Sequence, residues 1–240
     1  MDLMKWTCFH KQLPKLSFNK GFTLAEVLVT LGVIGVVAAL TMPTLIDNHR
    51  KAVTEARLEK FYSLMSQAVL KWEDKNNILP EDVHVTSFER DSSGFETWYK
   101  NGLGQELKSV SEEKIDGTFY KVVLADGSGF SAYSGNDTIP FFYCVDAKYC
   151  DENMDWGEPS YDGKHTFLFV LAQGKFMTSL ASHQTMSRED LLQECKTGYV
   201  MPDGSSLRAA RHACTRLIEV DGWKIKDDYP WNQTILEKNK

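Results

Sequence analysis

The sequence lacks the short motifs that mark common catalytic sites. Six histidines occur in 240 residues, and none stands in an HExxH or HxxxH pattern, the spacing of a helical zinc site. GxSxG, Walker and GxGxxG loops are also absent, which removes the usual signatures of a hydrolase or a nucleotide-binding enzyme. Serine, histidine and aspartate are present, as in any chain of this length. We therefore expect a protein that is not an enzyme.

Positive charge is outnumbered by negative charge, with 27 lysines and arginines against 33 aspartates and glutamates. The formal net charge is −6, which argues against a basic nucleic-acid-binding surface, so we expect no nucleic-acid partner. Four lysines and one aspartate precede Phe22, making that segment +3 and the remainder −9. Repeats and low-complexity linkers are missing too, which fits one ordinary globular domain with an additional N-terminal segment.

Cysteine is rare, with five residues in all. Cys8 lies in the basic segment, and the other four lie between residues 144 and 214. An even number suits two disulfides in an oxidising compartment, although four buried free thiols remain an alternative. Of the three possible pairings, we favour the local ones, which join no distant segments: Cys144–Cys150 and Cys195–Cys214.

One long apolar run follows the basic segment. Residues 22–46 contain a single charge, Glu26, and a helix of that length spans about 37 Å, enough to cross a membrane. The preceding lysines place the N-terminus in the cytoplasm and the acidic remainder outside it. A cleaved secretory signal would have a shorter apolar core, whereas an uncleaved signal anchor stays a strong alternative.

The helical pattern continues beyond the run to about Asn77. We expect a kink at Pro43 without an end, and Asn76, Asn77 and Pro80 predict the end of the helix. The apolar residues of this amphipathic half fall at spacings of three and four: Leu58, Phe61, Met65, Ala68 and Trp72.

Short strands and two short helices are predicted beyond residue 80, with Phe88–Ser111 unassigned. A serine cap at Ser187 opens a helix through Cys195 that Gly198 ends, and Ser205 or Ser206 caps another helix carrying Cys214. The strand candidates form two hairpins and one single strand: Phe119–Leu124 with Phe130–Tyr133, Ile139–Val145, and His165–Leu171 with Phe176–Leu180.

The junction between the basic segment and the apolar run carries the informative motif, Gly21-Phe-Thr-Leu-Ala-Glu26. A carboxylate inside a membrane segment is costly and needs a reason. Cleavage after Gly21 would create an ammonium group on Phe22 that could neutralise Glu26 of the same or a neighbouring chain. A paired carboxylate would then set the axial position of the next subunit. Taken alone, Glu26 could instead lie at the headgroup level.

This stretch closely resembles the N-terminal cleavage and methylation motif of type IV pilins and type II secretion pseudopilins. The resemblance covers Gly21 before the cut, Phe22 as the new N-terminus, Glu26 as the fifth mature residue, and Pro43 in the helix. It implies cleavage after Gly21 and methylation of Phe22 by a prepilin peptidase. A cysteine loop near the C-terminus, as Cys195 and Cys214 could form, is similar to that of many pilins.

The implied fold is α+β and pilin-like: a long N-terminal helix, half in the membrane and half amphipathic, packed against a small antiparallel β-sheet. The implied domains are a leader (1–21), the helix (22–77) and an extracytoplasmic globular domain (78–240). The expected partners are the prepilin peptidase, other pilin or pseudopilin subunits, the filament assembly machinery and membrane lipid. The protein is expected to span the inner membrane once, with its C-terminal domain periplasmic or extracellular and in a filament after assembly.

Two further patterns have ordinary and functional interpretations. An acidic run offers oxygen ligands for calcium, as some pseudopilins have in this part of the fold, but its spacing is not that of an EF-hand and a solvated loop is the ordinary interpretation. No cofactor is otherwise expected. Nearby aromatic residues, Phe141 to Tyr143 with Trp156 and Tyr161, fit core packing better than an adhesive surface. The calcium candidates are Asp146, Asp151, Glu152, Asn153 and Asp155.

The leading hypothesis is therefore a structural subunit of a type IV pilus or a type II secretion pseudopilus-like filament, and a DNA-uptake fibre is also compatible. The alternative from another class is a signal-anchored monomeric binding protein of the cell envelope. Only the filament hypothesis needs both Gly21 and Glu26.

Overall fold

The fold is described from a computed structural model, over residues 21–76, 92–115, 118–134, 138–150, 161–198 and 211–233. The helices in these ranges are α1 (Leu24–Asn76), α2 (Ser92–Asn101), α3 (Arg188–Thr197) and α4 (Ala213–Val220). The strands are β1 (Ser109–Ile115), β2 (Phe119–Leu124), β3 (Gly129–Ala132), β4 (Thr138–Cys144), β5 (Thr166–Ala172) and β6 (Lys175–Thr178). Single turns of 3₁₀-helix lie at Leu103–Glu106, Ala147–Cys150 and Ala181–Thr185.

Helix α1 confirms the long N-terminal helix and runs through Pro43 without ending. By compactness the chain divides within it into a first unit, Met1–Asp47, and a second unit, Asn48–Lys240. In the second unit α1 buries one stripe, because apolar side chains three and four positions apart share a face. All five predicted stripe residues are buried: Leu58, Phe61, Met65, Ala68 and Trp72.

The six strands form one antiparallel sheet in the order β1-β2-β3-β4-β5-β6. Each strand therefore pairs with its neighbour in the chain. The β5–β6 turn contains Gln173 and Gly174, both with positive φ of 48° and 69°. Two consecutive left-handed residues are the geometry of a type I′ hairpin turn, whose twist matches that of the strands.

Both faces of the sheet are buried around β4 and β5, which explains why their sequences are continuously apolar. One face packs on α1, where the ring of Phe61 stacks on Tyr143 at 4.3 Å and meets Phe169 edge-on at 5.1 Å. On the other face Phe142 stacks on Tyr161 at 4.9 Å. The prediction of core packing for these aromatic residues is therefore confirmed for Phe141, Phe142, Tyr143 and Tyr161, while Trp156 lies outside the described residues.

Several elements differ from the sequence prediction or were not predicted. Helix α2 and the first residues of strand β1 lie in the segment Phe88–Ser111, for which the sequence gave no assignment. Strand β1 has no buried residue, so it lacks the alternating pattern of a half-buried strand. The predicted helix start at Ser205 or Ser206 lies outside the described residues, and α4 begins only at Ala213. In contrast, α3 begins as predicted, with the Ser187 side chain accepting from the Asp190 N–H.

The two predicted disulfides are present in the second unit. Cys144 and Cys150 are joined with a Cα–Cα distance of 5.8 Å, and Cys195 and Cys214 with 4.8 Å. The first closes the loop at the end of β4, and the second joins α3 to α4. All four sulfurs belong to fully buried residues.

Candidate processing and assembly site

The predicted cleavage site lies in non-helical chain directly before α1. Gly21, Phe22 and Thr23 are outside the helix, which begins at Leu24. Phe22 is 89% exposed, and a side chain added at Gly21 would meet no atom within 4 Å. The peptide bond between Gly21 and Phe22 therefore lies in exposed chain outside the helix.

Glu26 forms a capping box with Thr23. The Glu26 carboxylate Oε2 accepts hydrogen bonds from the Thr23 backbone N–H and from its Oγ1 hydroxyl, both at 2.8 Å. The Glu26 N–H donates to Thr23 Oγ1 at 3.2 Å. This reciprocal pattern satisfies free N–H groups at a helix start. The carboxylate therefore has a role in its own chain, in addition to any role between chains.

Thr23 is the functional residue that the sequence argument missed. A threonine followed three residues later by glutamate, just before an apolar run, is itself the signature of a capping box. The signal is present in Thr23-Leu-Ala-Glu26, although the sequence argument took the Glu26 carboxylate as a partner for an ammonium group or as a residue at the headgroup level. The structure adds Thr23 to Gly21, Phe22 and Glu26 at this site.

The surface of α1 that follows the capping box is apolar and uncovered. Residues in this stretch are mostly more than half exposed, including Leu28, Ile34 and Leu40. The hydroxyl of Thr30 donates to the carbonyls of Glu26 and Val27, and that of Thr41 donates to the carbonyl of Val37. The hydroxyl groups of both threonines therefore have hydrogen-bond acceptors within the helix, so these residues are compatible with an apolar environment.

By length and composition, α1 is the one helix in the described part of the chain that could cross a membrane, and none of its apolar window is buried. A helix that is apolar all round and uncovered needs either lipid or other helices around it. Pro43 lies within this stretch, and α1 continues past it.

A buried serine–histidine–glutamate arrangement in the second unit does not form a catalytic site. Ser179 Oγ lies 2.6 Å from His183 Nδ1, and His183 Nε2 lies 2.7 Å from Glu194 Oε1. Ser179 is fully buried, so no substrate can reach its hydroxyl. A nucleophile must be open to the substrate in at least one direction, and this serine is not.

A cleft of about 280 Å³ lies between α1 and the β2–β3 turn. Its rim carries Arg57 and Lys60, both engaged by Asp126: Lys60 Nζ is 2.7 Å from the carboxylate, and the Arg57 guanidinium donates to the Asp126 carbonyl at 3.1 Å. Burial opposes ionisation of Asp126, but hydrogen bonds from Lys60 and Ser128 prevail and lower its pKa to about 2. The Asp126 carboxylate thus neutralises Lys60, whereas the charge of Arg57 is met only by backbone carbonyl groups.

The calcium prediction finds little support at Asp146, the one candidate within the described residues. Asp146 accepts from the backbone N–H of Lys148 at 3.1 Å and from its ammonium group at 3.1 Å. The other candidates, Asp151, Glu152, Asn153 and Asp155, lie outside the described residues. Within the described ranges, no group of three or more His, Cys, Asp or Glu residues is placed to hold a metal ion.

Comparison with known proteins gives two family matches. The prokaryotic N-terminal methylation motif matches residues 16–42, which contain the capping box and most of the apolar surface. Residues 44–232 match a family of unknown function, DUF6613. Neither curated proteins nor solved structures give a match.

The two matches meet in α1 and together cover most of the chain. The methylation motif identifies a type IV pilin-like precursor, a class that is structural and is processed by prepilin peptidase. The second match covers well over half of the 240 residues. The chain therefore belongs to the DUF6613 family and carries at its N-terminus the methylation motif of type IV pilin-like precursors.

Proposed function

We propose that the protein is a structural subunit of a type IV pilus or type II secretion pseudopilus-like filament, cleaved after Gly21 and assembled through α1. The single observation that carries this proposal is the methylation motif at residues 16–42, which extends into the uncovered apolar start of α1. A motif without the helix would explain processing alone. A helix without the motif would explain anchoring alone.

The geometry around Gly21 supports the processing step. The capping box starts α1 at Leu24, and the bond after Gly21 therefore stays outside the helix. A protease needs such a non-helical segment in its cleft, and the absence of a side chain at Gly21 suits a narrow cleft at the membrane surface. The mature chain begins at Phe22, whose α-amino group is then the methylation site.

Assembly follows from the uncovered surface of α1. In the inner membrane, lipid covers it, and after extraction the same surface has to be kept out of water. Packing against α1 of neighbouring subunits achieves this, and a head-to-tail contact that does not close produces an open helical filament. Glu26 then exchanges its Thr23 hydrogen bonds for the ammonium group of Phe22 in the same or a neighbouring chain.

The second candidate is a signal-anchored monomeric binding protein of the cell envelope. The observation in its favour is the cleft on the second unit, lined in part by Phe61, Leu64 and Tyr143. An anchored monomer would keep residues 1–21 and would remain in the membrane fraction under all conditions.

The N-terminus of the protein purified from its own membrane separates the two candidates. We expect an intact mass that begins at N-methylated Phe22 and a sheared-filament fraction that contains the protein. Gly21→Val should retain residues 1–21 and abolish filaments. Gly32→Ala is the matched control, since Gly32 also has free space around it but lies within α1. Wild-type protein that retains residues 1–21 would show the filament proposal to be wrong.

A further inference from the structure

The C-terminal tail, residues 221–233 after α4, passes beside the Cys195–Cys214 disulfide. A Cβ atom added at Gly163, in the loop before β5, would lie 2.9 Å from Cys214 Sγ and 2.9 Å from the Tyr229 hydroxyl oxygen. The sulfur and the hydroxyl are therefore neighbours over the same glycine. The Tyr229 hydroxyl also donates to the Gly163 carbonyl, and Tyr229 and both cysteines are buried.

Gly163 permits this approach because it has no side chain. Its φ of +67° lies in the left-handed region, which glycine adopts at little cost. Any larger residue would have to displace either the sulfur of Cys214 or the hydroxyl of Tyr229. The absence of a side chain at this position therefore lets the tail close directly against the disulfide.

Two cations hold the end of the tail. The Arg211 guanidinium donates to the carbonyls of Pro230 at 2.9 Å and Gln233 at 2.6 Å. The ammonium group of Lys164 lies 5.1 Å from the centre of the Trp231 ring, a cation–π distance. Both cations lie outside the tail, so its end is attached to the segment before α4 and to the loop before β5.

The tail has little regular backbone structure of its own. Residues 221–233, all of which the structure describes, contain no helix or strand. The sheet, in contrast, is a continuous ladder of six paired strands. Segments held by few backbone hydrogen bonds open locally at a lower free energy than core strands do. We therefore expect the tail to open while the sheet stays folded.

Reactions of a disulfide require that another sulfur reach it. In reduction, a thiolate attacks one sulfur and releases the other as a thiolate, and a second thiol of the reductant resolves the mixed disulfide. In oxidation, the two thiols give two protons and two electrons to a disulfide-bearing oxidant, which becomes a dithiol. Neither reactant can reach Cys195 or Cys214 while both residues are fully buried.

We propose that the C-terminal tail controls chemical access to the Cys195–Cys214 disulfide. A thiol–disulfide oxidoreductase joins the two cysteines while the tail is open, and the docked tail then excludes thiols from the bond. Exchange in the folded protein therefore proceeds only through local opening of the tail. This inference concerns the second unit alone and does not depend on filament assembly.

The test is reduction of the folded full chain by dithiothreitol in detergent micelles, with alkylation and peptide mapping of each cysteine pair. Tyr229→Phe removes the hydrogen bond to Gly163 and keeps the ring. We expect it to accelerate reduction of Cys195–Cys214 about tenfold, because one hydrogen bond changes an opening equilibrium by about that factor. A wild-type rate in Tyr229→Phe would overturn the proposal.

Two controls separate opening of the tail from general destabilisation. Tyr120→Phe also removes one hydrogen bond of a buried tyrosine, that to Glu112, and should leave the reduction rate of Cys195–Cys214 unchanged. The Cys144–Cys150 disulfide belongs to a different apolar cluster from Tyr229, and Tyr229→Phe should not change its rate. Acceleration of both disulfides, or equal acceleration by Tyr120→Phe, would show general destabilisation and contradict the proposal.

A second measurement on the wild-type protein covers the case in which Tyr229→Phe fails to fold. Global unfolding exposes much more surface than opening of the tail, so it depends far more steeply on urea. We expect the reduction rate of Cys195–Cys214 to be nearly constant at low urea and to rise steeply only near the unfolding transition. A rate that follows global unfolding at every urea concentration would show that the tail does not open by itself, and would refute the proposal.

Discussion

The Glu55 carboxylate on α1 accepts the backbone N–H of Ile225 at 2.8 Å. The same carboxylate lies 2.9 Å from the ammonium group of Lys224, and the ring of Trp223 packs 5.3 Å from Tyr62. These contacts attach the C-terminal tail, the segment that follows α4 and includes Trp223, Lys224 and Ile225, to the amphipathic half of α1. Glu55 and Ile225 are 170 residues apart in the chain. The tail thereby has a structural role that its sequence alone did not reveal.

Removal of the Glu55 side chain should destabilise the second unit. Glu55→Ala leaves the Ile225 N–H without its partner in a largely buried place, for which about 1–3 kcal/mol is expected. Lys224→Ala removes only an exposed partner and should cost less than about 1 kcal/mol. Urea unfolding of the full chain in detergent measures both. Equal effects of the two substitutions would contradict the importance of the backbone hydrogen bond.

The C-terminal disulfide should contribute more stability than the one at the end of β4. Loop-closure entropy gives about 3.3 kcal/mol for the loop of about twenty residues between Cys195 and Cys214, and about 2.4 kcal/mol for the loop of about seven between Cys144 and Cys150. Paired Cys→Ala variants, unfolded under identical conditions, measure the difference. A larger loss for the Cys144–Cys150 pair would show that its position against the core outweighs loop length.

Substitution of Glu26 should separate processing from assembly. We expect Glu26→Ala to be cleaved after Gly21 as in the wild type, since the scissile bond precedes the residue, but to form few filaments because no carboxylate remains to set subunit register. Thr41→Ala is the control within the same apolar stretch, since the Thr41 hydroxyl donates only to its own helix. Intact mass and sheared-filament yield are the two readouts. Normal filament yield from Glu26→Ala would reduce Glu26 to a helix cap at the membrane interface.

Low pH should weaken the ion pairs that join Arg188 on α3 to Asp221 and Asp228, which follow α4. Arg188 pairs with Asp221 at 2.7 Å and with Asp228 at 2.9 Å. Burial alone would raise the pKa of Asp221, but hydrogen bonds from Arg188 and Lys226 prevail and lower it. Because the pKa of Asp221 is depressed in the folded state, its ionised carboxylate stabilises the fold above the unfolded-state pKa of about 3.9. This stabilisation is lost as pH falls through the folded-state pKa.

An Arg188→Gln variant tests this pH dependence. At pH 6 it should be less stable than the wild type by about 1–3 kcal/mol, since it removes one of the two cations, Arg188 and Lys226, that pair with the buried Asp221 carboxylate. The difference between the two proteins should shrink as pH falls below about 4. Unfolding curves between pH 2.5 and 6 provide the comparison. A difference that stays constant over this range would show that Arg188 acts through packing alone.

The sequence predicted those elements whose pattern lies in residues close together in the chain. The stripe from Leu58 to Trp72 repeats at helical spacing, and the Gln173-Gly174 turn has residues suited to left-handed backbone, so α1 and the β5–β6 hairpin could be predicted. Strand β1 could not, since none of its residues is buried and its conformation depends on pairing with β2. The predicted cap at Ser205 or Ser206 lies outside the described residues, whereas α4 begins at Ala213 after His212, whose side chain makes no capping hydrogen bond that a sequence pattern could reveal.

The membrane-type helix, the processing motif and the favoured disulfide pairings could be predicted from the sequence, because each depends on residues close together in the chain. The tertiary structure decided the rest. It placed Glu55 against Ile225, Arg188 between Asp221 and Asp228, and Ser179 beside His183 and Glu194. Apart from Ser179 and His183, which are close in the chain, these contacts join residues distant in the sequence, and only the packing of α1, the sheet and the C-terminal helices brings their polar atoms within hydrogen-bonding distance.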